Sequence, residues 1–245
     1  MTVLAPPVYS NVSNERSTKS HLMSQTDNSD QLASSQKLEY ILRHAAQTFA
    51  EKGYEGASIR DISRSSGVSL SGLYYYVKSK QEILYLIQIH TFRTIVARLQ
   101  DSLRGVRDPS QRLRIFVRNH LEYFLQHPME MKVLAHEDDA LEGVYRRDVA
   151  EIKRKYYGIV VEIFEALRAE RRGPALNPRI AVLSLFGMMN WIHTWHQPHR
   201  DPQAEELSNA MSEMFLHGVM SNRRPVSRQL RSGRGSVNAA ARVAV

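Results

Sequence analysis

The sequence predicts an all-α protein, and three of its features indicate this class. Apolar residues recur three or four positions apart along most of the chain, which is the spacing of one face of an α-helix. Three dipeptides place a capping side chain before a proline at the first helical position. They are Asp108-Pro109, Asn177-Pro178 and Asp201-Pro202. Strand signals are weak, because the sequence has no Asn-Gly or Asp-Gly hairpin turn and no long alternating run.

These signals place three short helices before about six longer ones. Glycines at positions such as Gly53 and Gly105 mark where helices end. The predicted helices cover residues 37–52, 58–65, 69–76, 79–104, 109–126, 128–136, 139–171, 178–197 and 202–220. The short helices and the long helices therefore form two parts of the chain, at residues 36–85 and 86–221.

The two ends of the chain differ in composition from the middle. Residues 1–35 are rich in Ser, Asn, Thr and Gln without sustained apolar periodicity, so we predict a disordered arm. Residues 222–245 carry six arginines and no acidic residue, so we predict a basic disordered tail. The tail either adds non-specific affinity for DNA or is a solubilising extension.

The composition excludes several classes of site. The sequence has no cysteine, which excludes disulfides, thiolate metal sites and a cysteine nucleophile. Its apolar runs are shorter than the roughly 18–20 residues that span a bilayer, and its N-terminus lacks the pattern of a signal peptide, so we expect a cytoplasmic protein without membrane contact. No phosphate-binding glycine loop or catalytic constellation stands out, so we expect no cofactor and no enzymatic activity.

Two clusters of possible metal ligands do not have the spacing of a site. His193 and His196 are neighbours on a helix, but His199 falls off that face and Pro198 interrupts the run. We therefore predict no metal site there. The acidic run at 136–139 is typical of a helix start, with a ligand-facing Glu137 or Asp138 as the alternative.

The third short helix contains three consecutive tyrosines at 74–76, which cannot all face one core because successive side chains are about 100° apart. Leu73 and Val77 are four residues apart and share a face, so we predict that they anchor this helix. Tyr74 and Tyr75 then point outward. A short helix with an outward face of hydroxyl groups is suited to binding in the DNA major groove.

TetR-family transcriptional regulators have a helix-turn-helix that resembles residues 53–80, GYEGASIRDISRSSGVSLSGLYYYVKSK. The resemblance covers about 50 residues, with matching helix lengths. Ser58 and Ser63 replace the usual Thr and Ala of the family pattern, and Tyr76-Val77 replaces the common His-Phe.

The resemblance implies which side chains meet DNA. The candidates that face the bases are Arg60, Leu70, Ser71 and Tyr74. The candidates that contact phosphates are Ser58, Ser69, Gly72 through its N–H, Tyr75, Tyr76 and Lys80. The alternative for any one tyrosine is that it packs against the fourth helix.

The family resemblance also implies that the later helices form a homodimer and bind a small effector. The last two long helices carry apolar stripes that suit helix packing, either within one chain or between two copies. These stripes are Ile180, Leu183, Gly187 and Trp191, and Leu207, Met211, Met214, Phe215 and Gly218. A two-fold dimer would carry two reading helices to successive major grooves, about 34 Å apart.

Residues 136–157 and 185–195 resemble the C-terminal domains of TetR-family members that respond to acyl-CoA thioesters. In that interpretation a basic helix binds the nucleotide end of the ligand and an apolar pocket with adaptable methionines binds the acyl end. The candidate effector-binding residues are Phe124, Arg146, Arg147, Lys153, Arg154, Tyr157, Met188, Met189, Trp191 and His193. The alternative for the basic residues is an ordinary solvated face.

The sequence therefore predicts a homodimeric DNA-binding repressor that an effector releases from a palindromic operator. One alternative effector is a hydrophobic drug-like ligand. A second alternative, from another class, is an all-α small-molecule-binding protein that does not bind DNA and whose first helices imitate the motif.

Overall fold

The computed structural model describes residues 14–136, 140–170 and 177–220, with side-chain detail from residue 32 onward. Ten helices lie within these ranges. They are α1 (Asn14–Lys52), α2 (Ile59–Ser66), α3 (Leu70–Tyr76), α4 (Lys80–Ser102), α5 (Pro109–Gln126), α6 (Pro128–His136), α7 (Gly143–Glu170), α8 (Pro178–Asn190), α9 (Ile192–Trp195) and α10 (Ala204–Met220). The described residues contain no strand, which confirms the all-α prediction.

The helix boundaries follow the capping signals. Helix α5 spans the predicted residues 109–126, because Asp108 accepts a hydrogen bond from Gln111 N and Pro109 occupies the first position. The predicted helix 178–197 differs: it divides at Trp191 into α8 and the short α9. The predicted helix 139–171 begins later, at Gly143, which has a positive φ of 56°.

We predicted a disordered arm at residues 1–35, and the structure differs from this over residues 14–35, because α1 already begins at Asn14. Its buried apolar residues lie between Ile41 and Ala50. Adding further polar residues to an established helix is far less costly than nucleating one, so composition alone misjudged this segment. Residues 1–13, Glu137, Asp138 and the basic tail lie outside the described residues.

Two apolar clusters organise the chain. The first holds α1–α3 against the start of α4, with Phe49, Ile62 and Leu73 at its centre, and Val133 and Val149 reach it from α6 and α7. The second fills the space between α4, α5, α7, α8 and α10. Since α4 contributes to both clusters, it connects the two parts of the molecule physically.

Across the described ranges, no helix is both long and apolar enough to cross a membrane.

Candidate functional site

The start of α2 is fixed by a capping box centred on Asp61. Ser58 Oγ accepts a hydrogen bond from Asp61 N at 3.2 Å, and the Asp61 carboxylate accepts one from Ser58 N at 3.0 Å. Lys52 Nζ donates to the same carboxylate at 2.6 Å, from the last residue of α1. The hydrogen bonds from Lys52 and Ser58 hold the pKa of Asp61 well below its usual value. This carboxylate therefore joins α1 to α2.

The turn between α2 and α3 has a backbone that glycine favours. Gly67 has a φ of 66°, in the left-handed region. Ser69 then caps α3 by accepting a hydrogen bond from Gly72 N at 3.1 Å. A Cβ on Gly72 would lie 3.0 Å from Val68 Cγ1 and 3.2 Å from Ser69 Oγ. The capping arrangement thus disfavours any side chain larger than that of glycine at position 72. We predicted that Gly72 N contacts a phosphate, but in this structure it is hydrogen-bonded to Ser69 Oγ.

Helix α3 is anchored by Leu73 and Val77, which are 0% and 1% exposed, and this confirms their predicted role. The exposed fractions of Tyr74 and Tyr75 are 54% and 80%. Tyr76 is half-buried and packs edge-to-face on Tyr75, with ring centroids 5.0 Å apart. A surface with two outward phenol rings therefore stands on a rigid support.

The remaining predicted base-facing residues are also accessible. Arg60 is exposed in the first turn of α2, and Leu70 and Ser71 are exposed at the start of α3. We refer to Arg60, Leu70, Ser71, Tyr74 and Tyr75 as the α2–α3 surface. It combines a cation, hydroxyl groups and aromatic faces, which are the groups that read base edges and sugars.

Lys80 is placed differently from the sequence-based prediction of a phosphate contact. Its Nζ donates to Tyr54 O at 2.8 Å and to Ala57 O at 3.2 Å, and it lies 4.2 Å from the centroid of the Tyr54 ring. The ammonium thus ties the first residue of α4 to the segment between α1 and α2. Sequence spacing did not reveal this contact, because Lys80 and Tyr54 are 26 positions apart.

A cavity of about 460 Å³ lies in the C-terminal part of the chain. Helices α4 to α8 all contribute to it. The lining residues are Phe92, His120, Phe124, Met131, Leu134, Ala135, Lys153, Tyr156, Tyr157, Leu183, Phe186 and Asn190. Its size and its mainly aromatic and aliphatic wall are typical of a small-molecule site.

A buried histidine forms the polar part of this wall. His120 Nδ1 lies 3.0 Å from Tyr156 Oη, and His120 Nε2 lies 3.1 Å from Asn190 Oδ1. Burial lowers the pKa of His120 to about 3 and raises the pKa of Tyr156 well above its usual value. All three side chains are therefore uncharged near neutral pH.

The cavity includes three of the ten predicted effector residues, namely Phe124, Lys153 and Tyr157. Lys153 Nζ lies 5.4 Å from the centroid of the Phe92 ring on α4. Lys153, Tyr156 and Tyr157 follow the three-to-four spacing of one helix face, so α7 presents one cation together with two phenols.

The other seven predicted effector residues are not among the described residues that line the cavity. Arg146 is two helical turns before Lys153, about 10 Å away along the axis, and Arg147 and Arg154 are rotated away around α7. Met189 is fully buried in the core, whereas Trp191 is 65% exposed. Met188 packs on the core from α8, and His193 Nδ1 is 2.7 Å from Asn190 O.

His120, Phe186 and Asn190 line the cavity, but sequence reasoning did not select them. His120 lies in the apolar stripe of α5, between the buried Phe116 and Phe124, where a polar residue is unusual. That unusual position was an available signal. Asn190 had no comparable signal, because its role depends on how α8 packs against α5.

The predicted dimer surface divides into buried and exposed residues. Leu207 and Met211 are buried within the chain. Ile180 and Met214 are 58% and 60% exposed, and Leu183 and Trp191 are also exposed. Exposed apolar side chains therefore remain on α8, at Trp191 and on α10.

Within the described part of the chain, no group of three or more His, Cys, Asp or Glu side chains could hold a metal ion.

Comparison with known proteins identifies the family in two segments. Residues 41–85 match the family described as bacterial regulatory proteins, tetR family, and residues 106–219 match the tetracyclin repressor-like C-terminal domain. The chain is 22% identical over 183 residues to the fatty acid metabolism regulator protein of Bacillus subtilis strain 168, covering 73% of this chain and 93% of the relative.

Solved structures show the same fold. The TetR family regulator PfmR from Thermus thermophilus is 27% identical with a TM-score of 0.65, covering 72% of this chain and 97% of that one. AibR in complex with isovaleryl coenzyme A and operator DNA is 24% identical with a TM-score of 0.65, covering 72% and 96%. Together with the capped α2–α3 unit and the separate C-terminal cavity, these matches show that the chain belongs to the TetR family of ligand-responsive, DNA-binding transcription regulators, and is not an enzyme.

Proposed function

We propose that this regulator is a cytoplasmic homodimeric repressor that binds a palindromic operator through its two α2–α3 surfaces and is released by an acyl-CoA thioester. The observation that carries this proposal is the position of α4. Phe92 of α4 lines the cavity, and Lys80, the first residue of the same helix, bonds to the DNA-binding part. A ligand that displaces Phe92 would therefore act on the element that holds the reading helices.

The release would be a shift between two populations of the dimer. An effector changes this balance only by the difference between its affinities for the two states. Moving the dimer from 1% to 99% released requires roughly 10⁴-fold preference for the released state. In this proposal α4 takes a different position in each state, and ligand contacts with Phe92 that differ between the states are the source of the preference.

The choice of an acyl-CoA is supported by the character of the cavity. Its wall is mainly apolar, which suits an acyl chain, and Lys153 supplies a cation for an anionic group. The relative in Bacillus subtilis is named for fatty acid metabolism, and the AibR complex contains isovaleryl coenzyme A. Both names agree with a thioester effector.

The test begins with binding of the full-length protein to duplex DNA from its own promoter region, measured by fluorescence anisotropy against random competitor DNA. Acyl-CoAs from two to sixteen carbons are then titrated into the complex. We expect release by a limited range of chain lengths at micromolar concentration. Release by none of them, with uncharged aromatic compounds effective instead, would overturn the acyl-CoA assignment and favour a drug-like effector. Absence of any preference over random DNA would overturn the operator-binding role.

A further inference from the structure

The polar part of the cavity wall is a set of three side chains, His120, Tyr156 and Asn190, which we call the polar triad. His120, its central member, is packed against aromatic rings. The His120 ring centroid lies 4.6 Å from that of Phe124 and 6.0 Å from that of Phe186. His120 and Tyr156 are both 2% exposed. Polar groups in such surroundings are costly unless they are hydrogen-bonded, so the triad is a specific arrangement.

The hydrogen-bond directions within the triad follow from the chemistry of its atoms. Asn190 Oδ1 can only accept, so His120 Nε2 carries a proton and donates it. A neutral imidazole then has an acceptor at Nδ1, which receives the Tyr156 hydroxyl. Both ring nitrogens of His120 are thus used inside the triad.

Two groups of the triad keep capacity for a ligand. The Asn190 amide nitrogen has two N–H donors, and the Tyr156 oxygen retains lone pairs. Asn190 and Tyr156 both line the cavity. The triad therefore offers hydrogen bonds from neutral groups, with no cation among its own members.

The cation of the cavity lies elsewhere on its wall. Lys153 is one helical turn before Tyr156 and stands over Phe92. A carboxylate or phosphate is stabilised beside Lys153, whereas the same charge placed against His120 and Tyr156 would meet two buried side chains that carry no positive charge.

We propose that the polar triad selects effectors with an uncharged carbonyl group, as in a thioester, ester or amide, over those whose inner end is a free carboxylate. Asn190 donates to the carbonyl oxygen, and His120, held by Tyr156, fixes the orientation of the Asn190 amide. This inference rests on the proposed effector role of the cavity and narrows the class of compound that it takes. In this proposal the protein recognises both the carbonyl and the anionic part of an acyl thioester.

The test compares two ligands of equal chain length, decanamide and decanoate, by isothermal titration calorimetry at pH 7.5 on the full-length protein. We expect the wild type to bind the amide at least tenfold more tightly, about the effect of one hydrogen bond in an enclosed site. In Asn190→Leu this preference should fall to about twofold or less, because the donor is lost. Tyr156→Phe should also reduce the preference for the amide, because His120 loses the hydroxyl group that orients its ring.

Leu134→Ala is the matched control. Leu134 lines the same cavity without a polar side-chain atom, so this change should weaken both ligands alike and leave their ratio unchanged. Asn190 is an exposed residue, so its variant should fold, which a thermal melt checks. Equal binding, or no binding, of both ligands by the wild type overturns the proposal. An unchanged ratio in Asn190→Leu also overturns it.

Adding decanoyl-CoA to the operator-release assay tests the carbonyl selection and the acyl-CoA proposal separately. If decanoyl-CoA does not release DNA while the amide preference depends on Asn190, the carbonyl selection stands and the effector is another neutral carbonyl compound. If decanoyl-CoA releases DNA from wild type and Asn190→Leu with equal potency, the selection by the triad is overturned and the acyl-CoA effector stands.

Discussion

Tyr74 and Tyr75 are exposed, although Leu73 and Val77 on either side of the tyrosine run are buried. Leu73 and Val77 bury their side chains on one face of α3, and the helix geometry then turns the two tyrosines outward. Neither tyrosine belongs to the first cluster, and each exposes a large ring with a hydroxyl group. Its presence on a rigid helix is consistent with contact to DNA.

Replacing Tyr74 or Arg60 by Ala should weaken operator binding by about 10- to 100-fold, corresponding to roughly 1–3 kcal/mol per lost base contact. The melting temperature should change little, because Tyr74 is 54% exposed. Anisotropy titrations with operator and with random DNA provide the measurement. Arg168→Ala is the control for charge, because Arg168 is also an exposed arginine but lies on α7. Operator selectivity equal to wild type in both variants would mean that α3 is not the reading helix.

Asp61 predicts how stability depends on pH. Its folded-state pKa is lowered mainly by the hydrogen bond from Lys52, so its contribution is complete above the unfolded value of about 4 and is lost as the pH falls below that value. Asp61→Asn should therefore lower the melting temperature at pH 7, and the difference from wild type should shrink below about pH 4. Calorimetric melts from pH 8 to pH 3 measure it. A difference that persists unchanged at low pH would contradict the assigned ion pair.

At the scale of helices, α4 is the element that serves both parts of the molecule. Its start is bonded to the segment between α1 and α2 through Lys80, and its middle meets α7. There Tyr85 stacks on Tyr145 at 4.5 Å and donates to Asp148 at 3.3 Å, and Phe92 faces the cavity. Displacement of α4 by a ligand would therefore reach α3 through packed side chains and hydrogen bonds.

Lys80→Met distinguishes a structural lysine from a phosphate contact. Two charge-assisted hydrogen bonds to carbonyl oxygens are lost, so the free energy of unfolding should decrease by about 1–3 kcal/mol. The salt dependence of operator binding should stay the same, because no phosphate contact is removed. Urea unfolding and anisotropy titrations from 50 to 300 mM salt measure the two effects. A stability equal to wild type, with the salt slope reduced by about one, would instead assign Lys80 to a phosphate.

At the scale of the whole molecule, α8, Trp191 and α10 carry exposed apolar side chains. Ile180, Trp191 and Met214 are each more than half exposed. Association with a second protein surface would remove these side chains from water. TetR-family regulators bind operator DNA as dimers. We therefore propose that a second copy of the chain covers these side chains.

Ile180→Asp should convert the dimer to a monomer, because it would place two unpaired carboxylates in a two-fold interface. The matched control is Val144→Asp, since Val144 is also β-branched and is 52% exposed, at the start of α7. Sedimentation equilibrium gives the oligomeric state, and operator affinity should fall with it. A monomeric Val144→Asp together with a dimeric Ile180→Asp would move the interface to another face.

The sequence determined the parts of this protein that depend on local chemistry. Capping residues and prolines set the limits of α2, α3 and α5, and helical periodicity identified Leu73 and Val77 as anchors. The family resemblance followed from the short segment at residues 53–80. These features are readable because they arise from residues within about one helical turn of each other.

The tertiary structure decided which residues meet across the chain. It assigned Lys80 to the Tyr54 and Ala57 carbonyls, brought His120 to Asn190 across 70 positions, and left Arg146, Arg147 and Arg154 off the cavity wall. Local patterns carry no information on such pairs, because helix packing fixes which faces meet. The family could therefore be named from the linear sequence, whereas the wall of the cavity depended on how five helices pack.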